Sequence, residues 1–523
     1  MSAPTIPPKR TLKETLILRM LDRIERSGNA MPDPAVLFIL FAIIVIIASH
    51  ICANLGLSVS FDTYDAAKKA MVQKQVHAVS LLSPDGIRFM VSTVIPNFTG
   101  FVALGPVFVA ILGVGVAEGT GFIGVLLKKL AQVTPRKLVT PVLIFLGIMS
   151  HMASSTGYVV LIPLGAILFM SLGRHPIAGL ATAFAGVAGG WSANIVLATA
   201  DPALAGMTAE AAKIINPAYP VLPTANWYFT AASSLLIITI GTWVTEKIVE
   251  PALGPYQSEE ITMVNDITAD EKRGIKFALW GALIYLAIVA ALVVPEGAVL
   301  RNPATGAVLQ SPFMSGIIFF MMLFFLIPGL LYGIGAKVIK NDKEAVAMMS
   351  NSISKLSGFM VLLFFASQFV AYFNYSNLGT IISVSGANFL KSTGFVGIPL
   401  ILVFIVFTAL VDIVFAVDTA KWAIMAPIFV PMFMHIGLSP ELTQMAYRIG
   451  DSTSNVISPL MPFFPLIVAF CEKYDKKAGI GTLVSTMLPY SLAFLVGWTA
   501  LLIVWYMLNL PLGPGAPIHY PIH

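Results

Sequence analysis

Long hydrophobic segments separated by short polar loops dominate the chain, and nine of them have the length of a membrane-spanning helix. A helix needs about 20 apolar residues to cross the hydrocarbon core of a bilayer. The predicted spans are residues 35–57, 94–118, 176–200, 226–249, 274–294, 312–335, 357–375, 446–470 and 482–508. This pattern predicts an all-α polytopic membrane protein.

Two further apolar regions, 139–171 and 398–436, are each too long for one span and have a small, polar centre. We call them the first and second hairpins, because each is expected to enter and leave the membrane on one side. Each precedes a span that is interrupted by small and polar residues, GGWSANIVLATADP in the first case and YRIGDSTSNVISPLMP in the second. Lipid offers backbone groups no hydrogen-bond partner, so such breaks must be enclosed by protein or line a polar cavity.

The order of hairpin and broken helix occurs twice. In the two breaks, SANI at 192–195 corresponds to TSNV at 453–456, and glycine precedes both. Interrupted hydrophobic segments at matching places in two halves are typical of the binding site of a secondary transporter. The predicted halves are residues 35–250 and 274–508.

Lysine and arginine are concentrated in loops that the span count places on one side, which the positive-inside rule makes cytoplasmic. The predicted cytoplasmic parts include residues 1–34 and a linker at 251–273, whereas the tail at 509–523 has neither residue and lies outside. The first hairpin then enters from the cytoplasm and the second from outside, so the halves are inverted repeats. Residues 120–131 are expected to form an amphipathic helix at the interface.

Composition supports the membrane class and excludes several others. Of 523 residues, 57% are hydrophobic and 11% charged, and the mean hydropathy is +0.86. The net charge of +5 is distributed over loops, which argues against a nucleic-acid partner. Cys52 and Cys471 are too far apart in sequence to indicate a disulfide framework, and the histidines have no metal-ligand spacing. We expect neither a resident metal nor another cofactor.

Charged residues within the hairpins and breaks are the main candidates for chemistry, because a charge at the bilayer centre costs about 2.5–3.5 kcal/mol. They bind substrate charge or a coupling proton, or they form internal salt bridges. Arg448 and Asp451 are one helical turn apart and are the expected pair, as are Asp418 and Lys421. Asp201 alternatively caps a turn. The candidates are Asp201, Asp412, Asp418, Lys421, Arg448 and Asp451.

Neutral polar residues at the tips and breaks suit either a sodium site or the satisfaction of broken backbone. Hydroxyls, amides and unwound carbonyls coordinate small cations in such places. Trp422 either stacks on an aromatic substrate or fills the core, and Pro427, Pro440 and Pro459 are predicted helix breaks. The neutral candidates are Ser154, Ser155, Asn194, Thr419 and Asn455, with sodium expected near all but Ser155.

Several segments together resemble the aminobenzoyl-glutamate transporter (AbgT) family over nearly the whole chain. They are GRHPIAGLATAFAGVAGGWSAN, ATADPALAG, VTEKIVEPALGPYQ, APIFVPM, AYRIGDSTSNVISP and GTLVSTMLPYS. The resemblance implies a homodimeric carrier in the bacterial inner membrane, related to the ion transporter superfamily, for uptake of p-aminobenzoyl-glutamate or proton-driven efflux of sulfonamides. The family positions implicated in transport fall on Asp201, Trp422, Pro440, Arg448, Asp451 and Pro459.

The chain departs from the family pattern at both hairpin tips. The first tip lacks a carboxylate, and the second has Asp412 in place of the usual asparagine, with further charges at Asp418 and Lys421. The leading hypothesis is a secondary active transporter of a small aromatic amino-acid conjugate or related organic anion, coupled to protons or sodium. Sulfonamide efflux is the alternative within this class. An intramembrane hydrolase is the alternative outside it, although no nucleophile elbow or phosphate-binding loop is present in the sequence.

Overall fold

The computed structural model describes residues 32–65, 70–101, 104–153, 157–256, 267–308, 311–476 and 478–521. The described chain is largely helical. In its first half, the α-helices are α1 Pro34–Asn54, α2 Pro84–Ser92, α3 Val94–Thr99, α4 Leu104–Gly119, α5 Phe122–Val133, α6 Val139–Met149, α7 Ile162–Ser171, α8 Pro176–Phe184, α9 Ala200–Ala212, α10 Trp227–Val244 and α11 Glu250–Leu253.

The second half continues in the same way after the linker. Its α-helices are α12 Ala269–Val293, α13 Pro312–Ser315, α14 Ile317–Gly335, α15 Asp342–Lys355, α16 Ser357–Tyr375, α17 Leu378–Ser392, α18 Ile398–Val414, α19 Asp418–Met434, α20 Pro440–Asn455, α21 Phe464–Glu472 and α22 Ile480–Met507.

Six helical stretches of the described chain are long and apolar enough to cross a membrane, and all six coincide with predicted spans. They are α1, α10 with its continuation through α11, α12, α14, α16 and α22. The predicted span 94–118 is instead divided between α3 and α4, and α4 is bent by 64° against the amphipathic α5. The prediction of a largely helical membrane protein is therefore confirmed. The predicted span 94–118, however, is not a single helix.

An antiparallel β-hairpin corrects the expectation of an all-α protein. Strands β1 Ser58–Asp65 and β2 Ala70–His77 pair with Ser58 opposite His77 and Asp65 opposite Ala70. On β1, Val59 and Phe61 alternate with polar residues, which is the period-two pattern of a strand. No element was predicted between the spans 35–57 and 94–118, so this hairpin was missed.

Both regions named hairpins consist of two helical arms around a short connection. In the first, α6 and α7 are joined through a 3₁₀ turn at Ser150–Ala153 and a π-helical segment at Gly157–Leu161. In the second, α18 ends at Val414 and α19 begins at Asp418. The two-arm organisation thus agrees with the prediction, and re-entry from one membrane face remains a prediction.

Both broken helices are interrupted, although the second break lies later than predicted. Helix α8 continues as a π-helix over Ala185–Gly189, and the next α-helix begins at Ala200. Helix α20 runs without interruption to Asn455, so the YRIGDST part of the predicted break is helical. The chain is irregular only from Val456 until α21 starts at Phe464.

The three prolines predicted as helix breaks have three different positions. Pro459 lies in the irregular stretch between α20 and α21, as expected. Pro440 starts α20, where its fixed φ fits the first helical turn and Ser439 accepts a hydrogen bond from the Leu442 N–H at 3.1 Å. Pro427 lies inside α19, and the helix continues through it to Met434. The prediction is therefore wrong for Pro427, whose helix continues through it, whereas Pro440 lies at a helix boundary.

The two broken regions meet in the interior. A Cβ added at Gly189 would lie 3.3 Å from Cγ1 of Val456, so the ends of the two interrupted helices touch. The ring of Tyr158, from the first hairpin, stacks on Phe463 of the second break with centroids 4.4 Å apart. These contacts bring the first hairpin and both breaks to one centre in the interior.

Candidate functional site

Lys421 is the centre of a buried ionic cluster. Its ammonium contacts Oδ1 of Asp412 and lies 2.7 Å from Oδ1 of Asp451. The lysine is on α19, whereas the carboxylates come from α18 and α20, so three elements meet at this nitrogen. All three residues are at most 1% exposed. A charge buried this deeply must be paired, and the lysine has two acidic partners.

The second buried pair joins Arg448 of α20 to Asp201 of α9, with Nη1 and Oδ1 2.7 Å apart. The other Asp201 oxygen accepts the Ala198 N–H at 2.6 Å, which orients the carboxylate. The prediction that Arg448 pairs with Asp451 is wrong, since each of them has a partner on another element. Asp201 both closes the turn that precedes α9 and pairs with a cation, because its two oxygens have different partners.

Asp418 begins α19 and does not pair with Lys421 as predicted. Its Oδ2 accepts the Trp191 Nε1–H at 2.9 Å, and its Oδ1 accepts the Thr419 N–H at 2.5 Å. Trp191 belongs to the first break, so this bond links the second hairpin tip to the opposite half. Tyr447 of α20 donates its hydroxyl to the Asp418 carbonyl, which fixes the tip further.

The last turn of α20 completes the environment of the carboxylates. Ser454 donates its hydroxyl to Oδ2 of Asp412 at 2.9 Å, and Asn455 donates its amide to Oδ2 of Asp451 at 3.3 Å. The structure therefore places the predicted Asn455 against a carboxylate that already faces Lys421. Ser454 was missed as a candidate, although it occupies a place in the matched TSNV segment.

Trp422 is fully buried and packs in the core, as one of its two interpretations proposed. Its ring lies 4.5 Å from the Tyr447 ring, and its Nε1–H donates to Thr208 at 2.9 Å. A polar chain then runs from Thr208 through Gln444 and Asn226 to the main chain of Glu441. The tryptophan in this arrangement offers no open face for stacking.

The polar chain reaches the loop between α9 and α10 through Glu441. The Glu441 carboxylate accepts a hydrogen bond at 3.0 Å from the hydroxyl of Tyr219, which lies in this loop. Burial, together with that carboxylate, raises the pKa of the Tyr219 hydroxyl, so the hydroxyl remains a donor. Sequence reasoning missed these residues because their partners come from separate segments; only the polarity of PELTQ at the start of α20 signals them.

The first tip is described only in part. Ser154 and Ser155 lie outside the described residues. His151 contacts the Val187 carbonyl, and its ring lies 4.8 Å from the Trp191 ring. Asn194 is buried in the break, where its backbone N–H donates to Thr230 at 3.2 Å. Buried polar atoms without a hydrogen-bond partner near this tip include His151 Nδ1, Asn194 Oδ1 and Arg448 Nε.

Among the described residues, the neutral candidates Asn194, Thr419 and Asn455 do not form a cation cage. The Thr419 N–H is bound to Asp418, and Asn455 faces Asp451. Among the described residues, no group of three His, Cys, Asp or Glu side chains is arranged to hold a metal ion. The sodium site expected near Ser154, Asn194, Thr419 and Asn455 therefore stays a hypothesis.

The charges of the cluster are unequal. Three carboxylates, on Asp201, Asp412 and Asp451, contact two cations, on Lys421 and Arg448, and the half-buried Asp418 lies beside them at the start of α19. Each charged residue that forms these ion pairs is at most 5% exposed. An excess of buried negative charge is costly unless a proton or another positive charge balances it.

Comparison with known proteins identifies the class. The AbgT putative transporter family matches residues 19–520. The p-aminobenzoyl-glutamate transport protein of Escherichia coli K12 is 36% identical over 492 residues, which are 94% of this chain and 95% of that protein. Two solved structures are also similar. The YdaH transporter of Alcanivorax borkumensis has 40% identity and a TM-score of 0.87, covering 92% of this chain and all of that one.

MtrF of Neisseria gonorrhoeae, described as illuminating a class of antimetabolite efflux pumps, has 48% identity and a TM-score of 0.90, and covers 95% of this chain and all of that one. The chain has several helices that can span a membrane and a buried charged centre where two broken helices meet. These are the features of a multi-pass membrane transporter. The chain belongs to the AbgT family, which confirms the resemblance found in the sequence. Because these relatives are named as transporters or efflux pumps, the hydrolase alternative is not retained.

Proposed function

We propose that this transporter carries a small aromatic amino-acid conjugate or related organic anion, of the p-aminobenzoyl-glutamate type, by secondary active transport. The name of the Escherichia coli relative supports the substrate class. Arg448 supports the recognition of a carboxylate, because one guanidinium nitrogen pairs with Asp201 while Nε has no partner. A guanidinium binds carboxylates through several nitrogens at once.

The observation that carries the proposal is the burial of this unequal charge cluster where the two broken helices meet. Neither ions nor substrate reach residues that are almost wholly inaccessible unless the surrounding elements move. Such movement, opening the centre to each side in turn, is alternating access. The coupling ion is H⁺ or Na⁺, and Asp201 and Asp451 are the candidate proton carriers.

The proposed arrangement places the protein in the bacterial inner membrane as a homodimer. Its N-terminus is cytoplasmic and its C-terminus periplasmic, in line with the distribution of lysine and arginine. The halves 35–250 and 274–508 are inverted repeats, whose hairpins enter from opposite faces. Hairpins and broken helices form the moving core, and the remaining spans form the scaffold and the dimer contact.

Efflux of sulfonamide antimetabolites is a second candidate. It is favoured by the 48% identity to MtrF, which exceeds the 36% identity to the p-aminobenzoyl-glutamate carrier. Both substrate types contain an aromatic amine, so one site accommodates either. The direction of transport follows from the gradients of ion and substrate.

Purified protein in proteoliposomes tests the proposal. Labelled p-aminobenzoyl-glutamate and a labelled sulfonamide are offered under a proton gradient and, separately, under a sodium gradient. We expect accumulation above that of empty vesicles under one gradient and its collapse when that gradient is dissipated. Absence of flux and of substrate exchange for both compounds would reject the proposed substrate class.

A further inference from the structure

Lys421 occupies the place in which a small coupling cation would be expected. Its ammonium lies between Asp412 and Asp451, and the remaining oxygens of these carboxylates accept from Ser454 and Asn455. Carboxylate and hydroxyl oxygens from two helices are the ligands that a buried monovalent cation needs. In this chain, a side chain of the protein supplies the positive charge.

The lysine is close in sequence to one of its two acidic partners. Lys421 lies in the first turn of α19, only nine residues after Asp412, and the two helices that carry them are the arms of one hairpin. A free sodium ion that replaced the ammonium would have to displace it from both carboxylates. The displaced lysine would then remain buried without a partner, which is strongly unfavourable.

We propose that the Lys421 ammonium is a built-in cation of the coupling site, which excludes sodium and leaves the proton as the coupling ion. The inference rests on the proposed function, since it specifies the coupling ion of that same site. The carboxylates of Asp412 and Asp451 carry one more charge than the ammonium between them. One proton taken up by this pair balances the triad, and the same proton returns to water when the centre opens to the other side.

Other ionisable groups surround the triad and belong to its charge balance. Asp418 begins the same helix, and Tyr447 on α20 has its ring centroid 5.6 Å from Nζ of Lys421. Tyr158 from the first hairpin is also close enough to Asp412, Asp418 and Asp451 to interact with them electrostatically. Arg448 is paired with Asp201, so Lys421 is the cation that directly contacts Asp412 and Asp451 among the described residues.

Thermal unfolding of detergent-purified protein tests the inference without any transported substrate. Wild type, Lys421→Met and the charge-balanced double variant Lys421→Met with Asp412→Asn are compared in sodium chloride, potassium chloride and choline chloride. We expect the transition temperature of the wild type to be equal in all three salts. Both variants should show a saturable rise that is specific to sodium, because the carboxylate of Asp451 then lacks its ammonium. Lys355→Met is the matched control, since that lysine is 65% exposed and pairs with Glu118 at the surface.

A sodium-specific rise in the wild type would overturn the inference. So would the absence of such a rise in every Lys421 variant that folds. The double variant keeps the formal charge of the triad of Lys421, Asp412 and Asp451. It therefore still provides a test if the single variant misfolds. If neither variant folds, the wild type decides the question alone, through both its salt response and its transport.

Transport by the wild type gives the second measurement. Under a proton gradient in sodium-free choline buffer, we expect full accumulation of the transported compound, and a requirement for sodium would overturn the inference. Lys421→Met should lose proton-driven accumulation while retaining exchange of labelled for unlabelled substrate. Failure of the wild type to exchange any tested compound would count against the proposed substrate class, whereas the salt response of unfolding would still decide the role of Lys421.

Discussion

Nη1 of Arg448 lies 2.7 Å from Oδ1 of Asp201, so a single ion pair joins the second broken helix to the helix that follows the first break. The arginine is 2% and the aspartate 5% exposed. Because each half of the chain contributes one member, any motion that separates the broken helices must break this pair or carry it along. Its removal should therefore affect both transport and the stability of the contact between the halves.

Asp201→Asn preserves the side-chain shape and leaves Arg448 buried without its countercharge. Loss of one member of a buried pair typically costs about 3–5 kcal/mol. We expect a lower transition temperature in detergent and loss of gradient-driven transport, with membrane insertion intact. Glu210→Gln is the control on the same helix, where Glu210 pairs with the partly exposed Lys213 and the change should cost less than about 1 kcal/mol. Wild-type flux in Asp201→Asn would remove this carboxylate from the mechanism.

Asp451→Asn removes the second acidic partner of Lys421 and a proton-accepting group. The expected phenotype is a separation of activities: accumulation against a gradient is lost, whereas exchange across the membrane persists. Flux assays in vesicles with and without a proton gradient measure the two activities on one preparation. Asp270→Asn, at an exposed pair with Lys337, is the control that should retain both. Retention of accumulation by Asp451→Asn would contradict a coupling role.

The sequence predicts the parts of this site better than it predicts their partners. Interrupted hydrophobicity locates both breaks, and the cost of charge in lipid singles out Arg448, Asp451 and Lys421. The expected pairs followed helical spacing, which describes contacts within one helix. The actual partners of Arg448 and Asp451 come from elements far away in the sequence, and spacing has no information about them.

Tertiary context also explains the other discrepancies. Pro427 was expected to break α19, yet the helix continues because its surroundings enclose it on both sides. Thr208 and Gln444 have no distinctive neighbours in the sequence, and their role in the polar chain to Trp422 appears only when α9 packs against α19 and α20. Such contacts depend on the fold as a whole, so no local pattern predicts them.

The bond from Trp191 to Asp418 provides a test of the contact between the halves. Trp191→Phe keeps a ring and removes the Nε1–H that lies 2.9 Å from Oδ2 of Asp418. An unsatisfied acceptor costs about 1–3 kcal/mol when fully buried and less at this half-buried carboxylate, so we expect a slightly lower transition temperature and slower exchange. Trp243→Phe is the control, because that ring is 54% exposed on the outer surface of the protein. Equal behaviour of the two variants would show that the bond contributes little.

Gly450 tests how closely the second broken helix must approach the second hairpin. A Cβ at this position would lie 2.5 Å from the Ile405 carbonyl oxygen and 2.7 Å from Cβ of Thr408, so Gly450→Ala forces α18 and α20 apart. Such overpacking typically costs about 1–3 kcal/mol, and the displacement would also move Asp412 away from Lys421. We therefore expect both a lower transition temperature and weaker proton-driven transport. Gly358→Ala, where an added Cβ meets no atom within 4 Å, should leave both unchanged or raise stability slightly. A fully active and stable Gly450→Ala protein would mean that the two helices separate without loss of the ionic cluster.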